Sequence, residues 1–399
     1  MKNRIKKTIL FVYTIITIPA LYGQINFDSN FIYQSNKSLQ KFTELNSKIL
    51  PVLGETNILF NSGNVNSWYN DYQINGNQII TNPYQSIRLK DFKRAEMQSQ
   101  LTEIELNNFA LSRDWYLEII EFAYLSEQIK IGEELLKSIE TADSIFNTRI
   151  ELGLNSNIER LSLNLLKGRL ILKLQQLYSK SIDSKQKLYY LKPDLKDLPN
   201  SKLLYDLDFI NERILPSEKS ITIKLHENKL EEISFDLKYQ TSIKFPNLQV
   251  GYTQQSFQGF QTINNKETFF TKNTPFYSFQ VGLSAPLFLT GQQNHIKSLK
   301  YKVKSEEQKL RAVKYGAELK TNACQEQLKL SAALLKNQIP QLLKLLEITR
   351  ESLLIQLNQN NLDPIEISRI IDQQTELNWA VNEAFYIHQL NTINQLINQ

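Results

Sequence analysis

The chain has 399 residues, with 46 Lys and Arg against 41 Asp and Glu and a formal net charge of +5. Four of the basic residues, Lys2, Arg4, Lys6 and Lys7, precede an uncharged apolar run over 8–22, and removing them leaves 42 basic against 41 acidic residues. A chain so close to neutral lacks the electrostatic footprint of a nucleic-acid-binding protein.

The first 23 residues have the pattern of a secretory signal peptide. The apolar run of about 15 residues is shorter than the ~20 that span a bilayer as a helix, and Gly23-Gln24 is a plausible cleavage point. The mature chain is therefore expected to begin near Gln24. An uncleaved membrane anchor is the alternative. Because no cysteine follows the run, a lipid anchor at that point is excluded.

The first half of the chain predicts three helices. A short helix over about 38–50 comes first. From about 88 to 152 there is no proline and apolar residues recur every three or four positions, as at Phe122, Leu125 and Ile129. The turn at 153–156 offers Asn155 or Ser156 as an N-cap, so a second long helix follows over 156–191, antiparallel to the first.

The second half repeats this scheme, with helices predicted over about 216–244, 292–358 and 365–397. The middle one carries a heptad seam typical of a coiled coil, and Pro340 predicts a kink in it. The seam consists of Leu328, Ala332, Leu335, Ile339, Leu342, Leu346, Thr349 and Leu353.

Two apolar stripes face different directions on the helix over 156–191. Leu163, Leu166, Leu170, Leu174 and Leu177 form one stripe, and Ile158, Leu161, Leu165 and Leu172 form the other. A helix with two apolar faces has partners on two sides, which indicates a barrel or sheet of helices.

Each half also carries a predicted β-hairpin, over about 247–286 and, with a weaker pattern, about 56–82. The clearest strand has apolar residues alternating with polar ones, so that Tyr277, Phe279, Val281 and Leu283 would face lipid. Four strands cannot enclose an aqueous channel, and lipid does not tolerate open sheet edges. About twelve strands are needed, which indicates three chains that contribute four each.

Two landmarks recur in both halves. A strand that ends in proline before a long helix occurs at Pro83 and again at Pro286, and the turn over 153–159 corresponds to the turn over 360–366. The chain is therefore divided into two similar repeats, over 24–215 and 216–399, by internal duplication.

On these residues the sequence resembles the TolC-like outer-membrane efflux proteins. The resemblance covers roughly 36–399 and rests on the motif over 279–288 with Gly291 soon after, and on the helix–helix turn over 149–154. It implies a mainly helical chain whose long antiparallel helices form an α-barrel in the periplasm. Two β-hairpins per chain would join a trimeric 12-stranded barrel in the outer membrane.

The family resemblance also implies function and partners. It implies a passive exit duct that works as a homotrimer with a periplasmic adaptor and an inner-membrane pump of the resistance-nodulation-division (RND) class. The segment over 246–289 is most similar in style to members that accompany heavy-metal pumps. The family closes its periplasmic end with polar and acidic residues, which makes Asp363, Glu366, Arg369, Gly153 and Glu159 the candidate gate and tip residues.

Two features depart from the family pattern. The helix before the first hairpin is shorter than its counterpart in the second half, and Arg369 occupies a position where the family has an acidic residue. Asp363 and Glu366 have an alternative interpretation as first-turn acids that stabilise a helix dipole.

No catalytic, cofactor or metal site is predicted. His226, His295 and His388 lie in different segments without ligand-spaced carboxylates, and Cys324 is the only cysteine. Besides the export channel, a periplasmic coiled-coil scaffold or adaptor, or a degenerate TolC-like protein without an open pore, stays as an alternative. The amphipathic strand over 277–285 argues against a scaffold.

Overall fold

The computed structural model describes residues 27–48, 53–62, 72–153, 157–206, 217–256, 259–270, 275–284, 290–358 and 363–398. The predicted signal peptide over 1–23 and the predicted turn at Pro286 lie outside these ranges. Helices dominate the described part, and a small antiparallel sheet accompanies them. This is the predicted fold class.

Seven α-helices lie in the described ranges. They are α1 (Phe31–Asn46), α2 (Pro83–Glu151), α3 (Asn157–Leu191), α4 (Glu218–Ser242), α5 (Thr290–Asn337), α6 (Ile339–Asn358) and α7 (Pro364–Asn398), with a short 3₁₀ helix at Ser201–Tyr205. None of these helices is apolar over a stretch long enough to cross a bilayer.

Six strands lie in the same ranges. They are β1 (Leu53–Ser62), β2 (Tyr72–Ile80), β3 (Asn247–Ser256), β4 (Gly259–Ile263), β5 (Lys266–Phe270) and β6 (Pro275–Ser284). The strands β1, β2, β3 and β6 form one antiparallel sheet in that order, so the two predicted hairpins pair with each other through β2 and β3.

The small hairpin of β4 and β5 was not predicted from the sequence. It lies in the connection between the two strands of the hairpin expected over about 247–286. Asn264 and Asn265 join its two strands with φ angles of 50° and 62°. Positive φ at both central residues is the mark of a tight two-residue hairpin turn, and asparagine tolerates it better than most residues. Phe260 and Phe269 pack edge to face across this hairpin at 4.9 Å.

The helix expected over 292–358 is divided into α5 and α6 at Gln338, next to the kink that Pro340 predicts. Gln338 N still bonds to Leu334 O at 2.9 Å, and α6 begins with Leu342 N bonded to Gln338 O at 3.0 Å. Pro340 is the physical reason, since it has no N–H for the preceding turn and its ring would clash with that turn's carbonyl.

One position of the predicted heptad seam is wrong. Ala332 is exposed, and Ser331 occupies the buried position in its place. Ser331 Oγ donates to Leu328 O and lies 3.0 Å from His388 Nδ1. The seam therefore advances by four residues twice in succession, from Ser331 to Leu335 and from Leu335 to Ile339, where a regular heptad would alternate three and four.

The chain forms two compact units, and the division into two sequence repeats stays a prediction. The first unit draws on 1–38, 105–222 and 313–399, and the second on 39–104 and 223–312. In the first unit a cluster of fully buried side chains joins α2, α3 and α7, and Phe146, Leu163 and Ile371 lie at its centre. The sheet and the helix segments next to it belong to the second unit.

The two predicted stripes of α3 differ in burial. Leu163, Leu166, Leu170, Leu174 and Leu177 are all buried against neighbouring helices. Leu161, Leu165 and Leu172 are 55%, 60% and 62% exposed. The single chain therefore uses one apolar face of α3 and leaves the other uncovered.

Candidate functional site

The four-stranded sheet has one mainly apolar face that runs across all four strands and is interrupted by Thr56, Gln78 and Gln254. Because residues alternate between the faces of a strand, the pairing register fixes which side chains share a face. The rows on this face are Phe60–Ile74–Gln254–Tyr277, Ile58–Gly76–Tyr252–Phe279, Thr56–Gln78–Val250–Val281 and, on three strands, Ile80–Leu248–Leu283.

The four residues predicted to face lipid all lie on this face and are open to the surroundings. Tyr277, Phe279, Val281 and Leu283 are 59% to 77% exposed. The Tyr252 ring lies 5.3 Å from that of Phe279 and 6.2 Å from that of Tyr277, which gives β3 and β6 a shared aromatic surface. Nothing within the described part of the second unit covers these four side chains.

The opposite face of the sheet is mainly polar and rich in side-chain amides, although Leu59, Ile79 and Phe276 also lie on it. Gly251 leaves room for the amides, because a Cβ there would come within 2.8 Å of Asn77 Oδ1 and 3.3 Å of Gln280 Cβ. The segments 56–61, 72–80, 247–256 and 276–284 contain no Asp, Glu, Lys, Arg or His. The amides are Asn57, Asn61, Gln73, Asn75, Asn77, Gln249, Gln255 and Gln280.

An amide surface of this kind hydrogen-bonds water through neutral donors and acceptors. It presents neither a carboxylate for cations nor a guanidinium for anions. Such a wall can therefore face an aqueous passage without holding an ion in place.

Both outer strands of the sheet keep an open edge. Among the described residues β1 pairs only with β2, and β6 pairs only with β3. An open edge presents unpaired N–H and C=O groups that can accept a further strand, and hydrocarbon cannot satisfy these groups.

The junction from sheet to helix at Pro83 is built around Asn82. Asn82 Oδ1 accepts from Tyr84 N at 2.9 Å and caps α2, and Pro83 is the first helical residue, where its missing N–H costs nothing. Asn82 Nδ2 donates to Pro246 O at 3.1 Å, and Asn82 N donates to Asn247 Oδ1 at 3.0 Å. One asparagine thus ties the start of α2 to the start of β3.

In the first unit, the predicted tip residue Gly153 ends α2. Its φ angle of +73° lies in the left-handed region, and Gly153 N donates to Ile150 O at 2.9 Å. Glycine is favoured there because it has no Cβ. Glu159 lies in the first turn of α3, and its side chain is outside the described part.

The other predicted tip residues lie at the start of α7. Asp363 Oδ1 accepts from Ile365 N at 2.9 Å and so caps the helix, while Arg369 forms an ion pair with Glu366 at 2.7 Å. These contacts match the alternative interpretation of Asp363 and Glu366 as first-turn acids. Their role as a gate stays a prediction.

Sequence reasoning missed a row of cations on α3 that reaches two neighbouring helices. Arg160 makes a bidentate contact to Asp143 at 2.5 and 2.7 Å, and Lys167 lies 3.3 Å from Glu140. Farther along α3, Arg169 lies 3.9 Å from Asp372, and the Lys173 ammonium lies over the Trp379 ring at 5.6 Å. The spacing of these cations was visible in the sequence, but their partners were not.

One histidine contacts a buried carboxylate in the second unit. His226 Nδ1 lies 2.7 Å from Glu306 Oε1, and Lys309 lies 3.3 Å from Glu306 Oε2. Burial alone would raise the pKa of Glu306, but hydrogen bonds from His226 and Lys309 outweigh it and lower that pKa. Over the described residues no group of three or more His, Cys, Asp or Glu is arranged to hold a metal ion.

The sequence matches no protein-family model, and a comparison with curated proteins found no match either. Solved structures do match. A membrane protein from Pseudomonas aeruginosa aligns at a TM-score of 0.71 and 12% identity, over 92% of this chain and 90% of that one. The transmembrane channel protein CusC aligns at 0.69 and 12% identity, over 92% and 88%. The open outer-membrane channel MtrE of Neisseria gonorrhoeae aligns at 0.68 and 11% identity, over 92% and 86%.

These alignments cover nearly the whole of each chain. At such low identity they establish the fold, which is that of the TolC-like outer-membrane channels. The predicted resemblance is confirmed at that level.

Proposed function

We propose that this chain is the outer-membrane component of a tripartite efflux system, a passive exit duct for substrates that a pump and an adaptor deliver. The sheet is the observation that carries the proposal. It combines a mainly apolar face, a mainly polar face rich in amides and two open edges. The apolar face suits lipid, the amide face suits water, and the edges require further copies.

Three copies meet this requirement with the fewest chains. Four strands from each give twelve, enough to leave a lumen, with β1 of one copy paired to β6 of the next. The exposed stripe of Leu161, Leu165 and Leu172 on α3 gives the helices a second apolar contact between copies.

The duct would lie in the outer membrane, with its helices in the periplasm. The turns at Gly153 and Asp363 would face an adaptor and an inner-membrane pump of the RND class, and Glu366, Arg369 and Glu159 would form or flank the gate. The aligned channels CusC and MtrE support this placement through their fold alone.

Heavy-metal cations are a narrower proposal for the cargo. It rests on the style of the segment over 246–289. The amide face would let such ions pass without binding them. Deletion of this chain from its host should lower the metal concentration that the cells tolerate. Unchanged tolerance would exclude metals as the cargo.

Cysteine cross-linking tests the duct directly. In a Cys324→Ala background, Ile58→Cys on β1 is combined in turn with Tyr277→Cys, Phe279→Cys, Val281→Cys or Leu283→Cys on β6. If copies pair edge to edge, at least one combination should give covalent dimers and trimers on oxidation. Ile74→Cys with Gln254→Cys is the matched control, because these residues are neighbours within one chain and should give no increase in mass.

Planar bilayer recordings complete the test. Trimers that conduct ions support the duct. A protein that stays monomeric and is recovered from the soluble periplasm would instead favour the scaffold, and a cross-linked trimer that does not conduct would favour a degenerate channel without an open pore.

A further inference from the structure

Four helices adjoin one end of the sheet in the chain, and α1, which finishes at Asn46 before β1, is one of them. Ile80, which ends β2, pairs with Leu248, and Asn247 at the start of β3 pairs with Ser284 at the end of β6. From this end α2 begins at Pro83, α4 finishes at Ser242 and α5 begins at Thr290. The helix segments nearest the sheet in the chain therefore adjoin this end of the sheet.

Three of these helices have a basic segment next to the sheet. Between the sheet and the first carboxylates on α2, α4 and α5, which are Asp91, Asp236 and Glu306, lie 83–90, 237–245 and 290–305, which together hold eight Lys or Arg. The four strands of the sheet hold one charged residue, Glu55 in β1. The basic residues are Arg88, Lys90, Lys238, Lys244, Lys297, Lys300, Lys302 and Lys304, which we call the basic collar.

Aromatic rings accompany the basic collar. Tyr84 and Phe245 pack edge to face at 5.3 Å, and both are nearly half exposed. The guanidinium of Arg88 lies 5.0 Å from the Tyr84 ring. Half-exposed aromatic rings beside cations are typical of the boundary between hydrocarbon and water, where an apolar ring and a polar edge are both satisfied.

The start of α5 presents the most open part of the collar. Lys297, Lys300, Tyr301 and Lys304 follow the i, i+3, i+4, i+7 spacing of one helix face, and Tyr301 is 76% exposed. The buried residues Ile296 and Leu299 lie on another face. Among the residues that the structure describes, Lys297, Lys300 and Lys304 contact no carboxylate, whereas Lys302 interacts electrostatically with Glu232.

We propose that the basic collar binds the anionic phospholipid head groups of the leaflet that faces the helices. This inference rests on the proposed function in one respect, that the sheet spans a membrane. The head-group region and one Debye length together extend about 15 Å beyond the hydrocarbon core, which is the range of the lipid charge. Lys297 and Lys300 lie about 10 to 15 Å along α5 from its first residue, within the reach of that charge, and Lys304 lies beyond it at about 21 Å, within the length of its own side chain.

Lipid fits the collar better than an acidic protein does. Unpaired lysines alone would suit either partner. The exposed Tyr84–Phe245 pair and Tyr301, beside a sheet with a mainly apolar face, suit a surface that changes from apolar to charged over a short distance.

Lipid retention tests the proposal. The full chain is reconstituted into vesicles of phosphatidylcholine and phosphatidylglycerol in a ratio of three to one, extracted in mild detergent, and its bound lipid is measured by mass spectrometry. We expect phosphatidylglycerol to be enriched about threefold or more over the vesicle ratio, since several lysines each favour an anionic surface. The triple variant K297Q/K300Q/K304Q should lose at least half of that enrichment.

The matched control is K329Q/K336Q/K344Q, which removes three exposed lysines that belong to the first unit and contact no carboxylate in its described part. It should retain the wild-type enrichment. Equal enrichment in all three proteins would overturn the proposal, as would a collar variant that keeps its lipid but loses export in cells, which would assign the lysines to a protein partner. Failure of the wild type to insert into vesicles would overturn the proposed function, and with it this inference.

Discussion

The ion pair of Asp143 and Arg160 ties α2 to α3 close to the turn at Gly153. The hydrogen bond from Arg160 is the main reason that the pKa of Asp143 lies below its ordinary value. A lowered carboxyl pKa means that the folded state favours the ionised form. Its stabilising contribution is therefore complete above the ordinary carboxyl pKa of about 4 and is lost as pH falls through the folded-state pKa.

We expect Asp143→Asn to destabilise this helix pair by about 1 kcal/mol near neutral pH, the upper value for a partly exposed pair. Backbone amides around 137–167 should then exchange hydrogen about fivefold faster than in the wild type. At a second, acidic pH below the folded-state pKa of Asp143, the ratio between variant and wild type should approach one, because both proteins then lack the charge. Hydrogen-exchange mass spectrometry at the two pH values measures this ratio.

Asp372→Asn is the matched control for the same prediction. Asp372 lies 3.9 Å from Arg169, and both side chains are well exposed, so its loss should change exchange by less than about twofold. Equal effects from the two substitutions would show that bidentate geometry adds nothing at Asp143.

At the scale of elements, the turn at Gly153 offers a prediction with opposite signs at two glycines. Gly153→Ala places a side chain at φ +73° and should destabilise the end of α2 by about 1 kcal/mol, although nothing lies within 4 Å of the new Cβ. Gly316→Ala, inside α5 and also in open space, should stabilise its helix by up to about 1 kcal/mol. Hydrogen exchange at 148–153 and 312–320 measures both effects. Two changes of the same sign would contradict the role of backbone conformation at Gly153.

The elements also show how far the sequence could be interpreted. The strand β2 over 72–80 lies within the hairpin expected over about 56–82, although its apolar alternation is weaker than that of β6. The hairpin of β4 and β5 was missed although its Asn264–Asn265 turn was a usable signal. The burial of Ser331 instead of Ala332 could not be predicted, because both side chains are small. The irregular spacing of the seam depends on packing around the break at Gln338.

The functional surfaces were also predicted only in part. The apolar face of β6 follows from alternation alone, but the continuous face across four strands needs the pairing of β2 with β3, which no local pattern specifies. The basic collar was likewise hidden, because its charges lie in three separate segments that only the sheet register brings to one end. Contacts distant in sequence are where local patterns carry no information.

At the scale of the whole molecule, α3 keeps an apolar surface that one chain does not cover. Its exposed stripe continues beyond the predicted leucines at the same 4-3 spacing, through Ile182 and Tyr189. A stripe of this length parallel to a fully buried one indicates a second helical neighbour. In a closed ring of identical copies, that neighbour is supplied by the next chain.

The triple variant Leu161→Ser, Leu165→Ser, Leu172→Ser should therefore keep its helical content but fail to form trimers. Burying a leucine contributes about 1.5 to 3 kcal/mol, so three losses at each of three contacts remove much of the association energy. Light scattering in detergent measures the mass, and circular dichroism the fold. Methionine at the same positions keeps the apolar surface and should preserve the trimer. A serine variant that still forms trimers would show that this face of α3 does not join the copies.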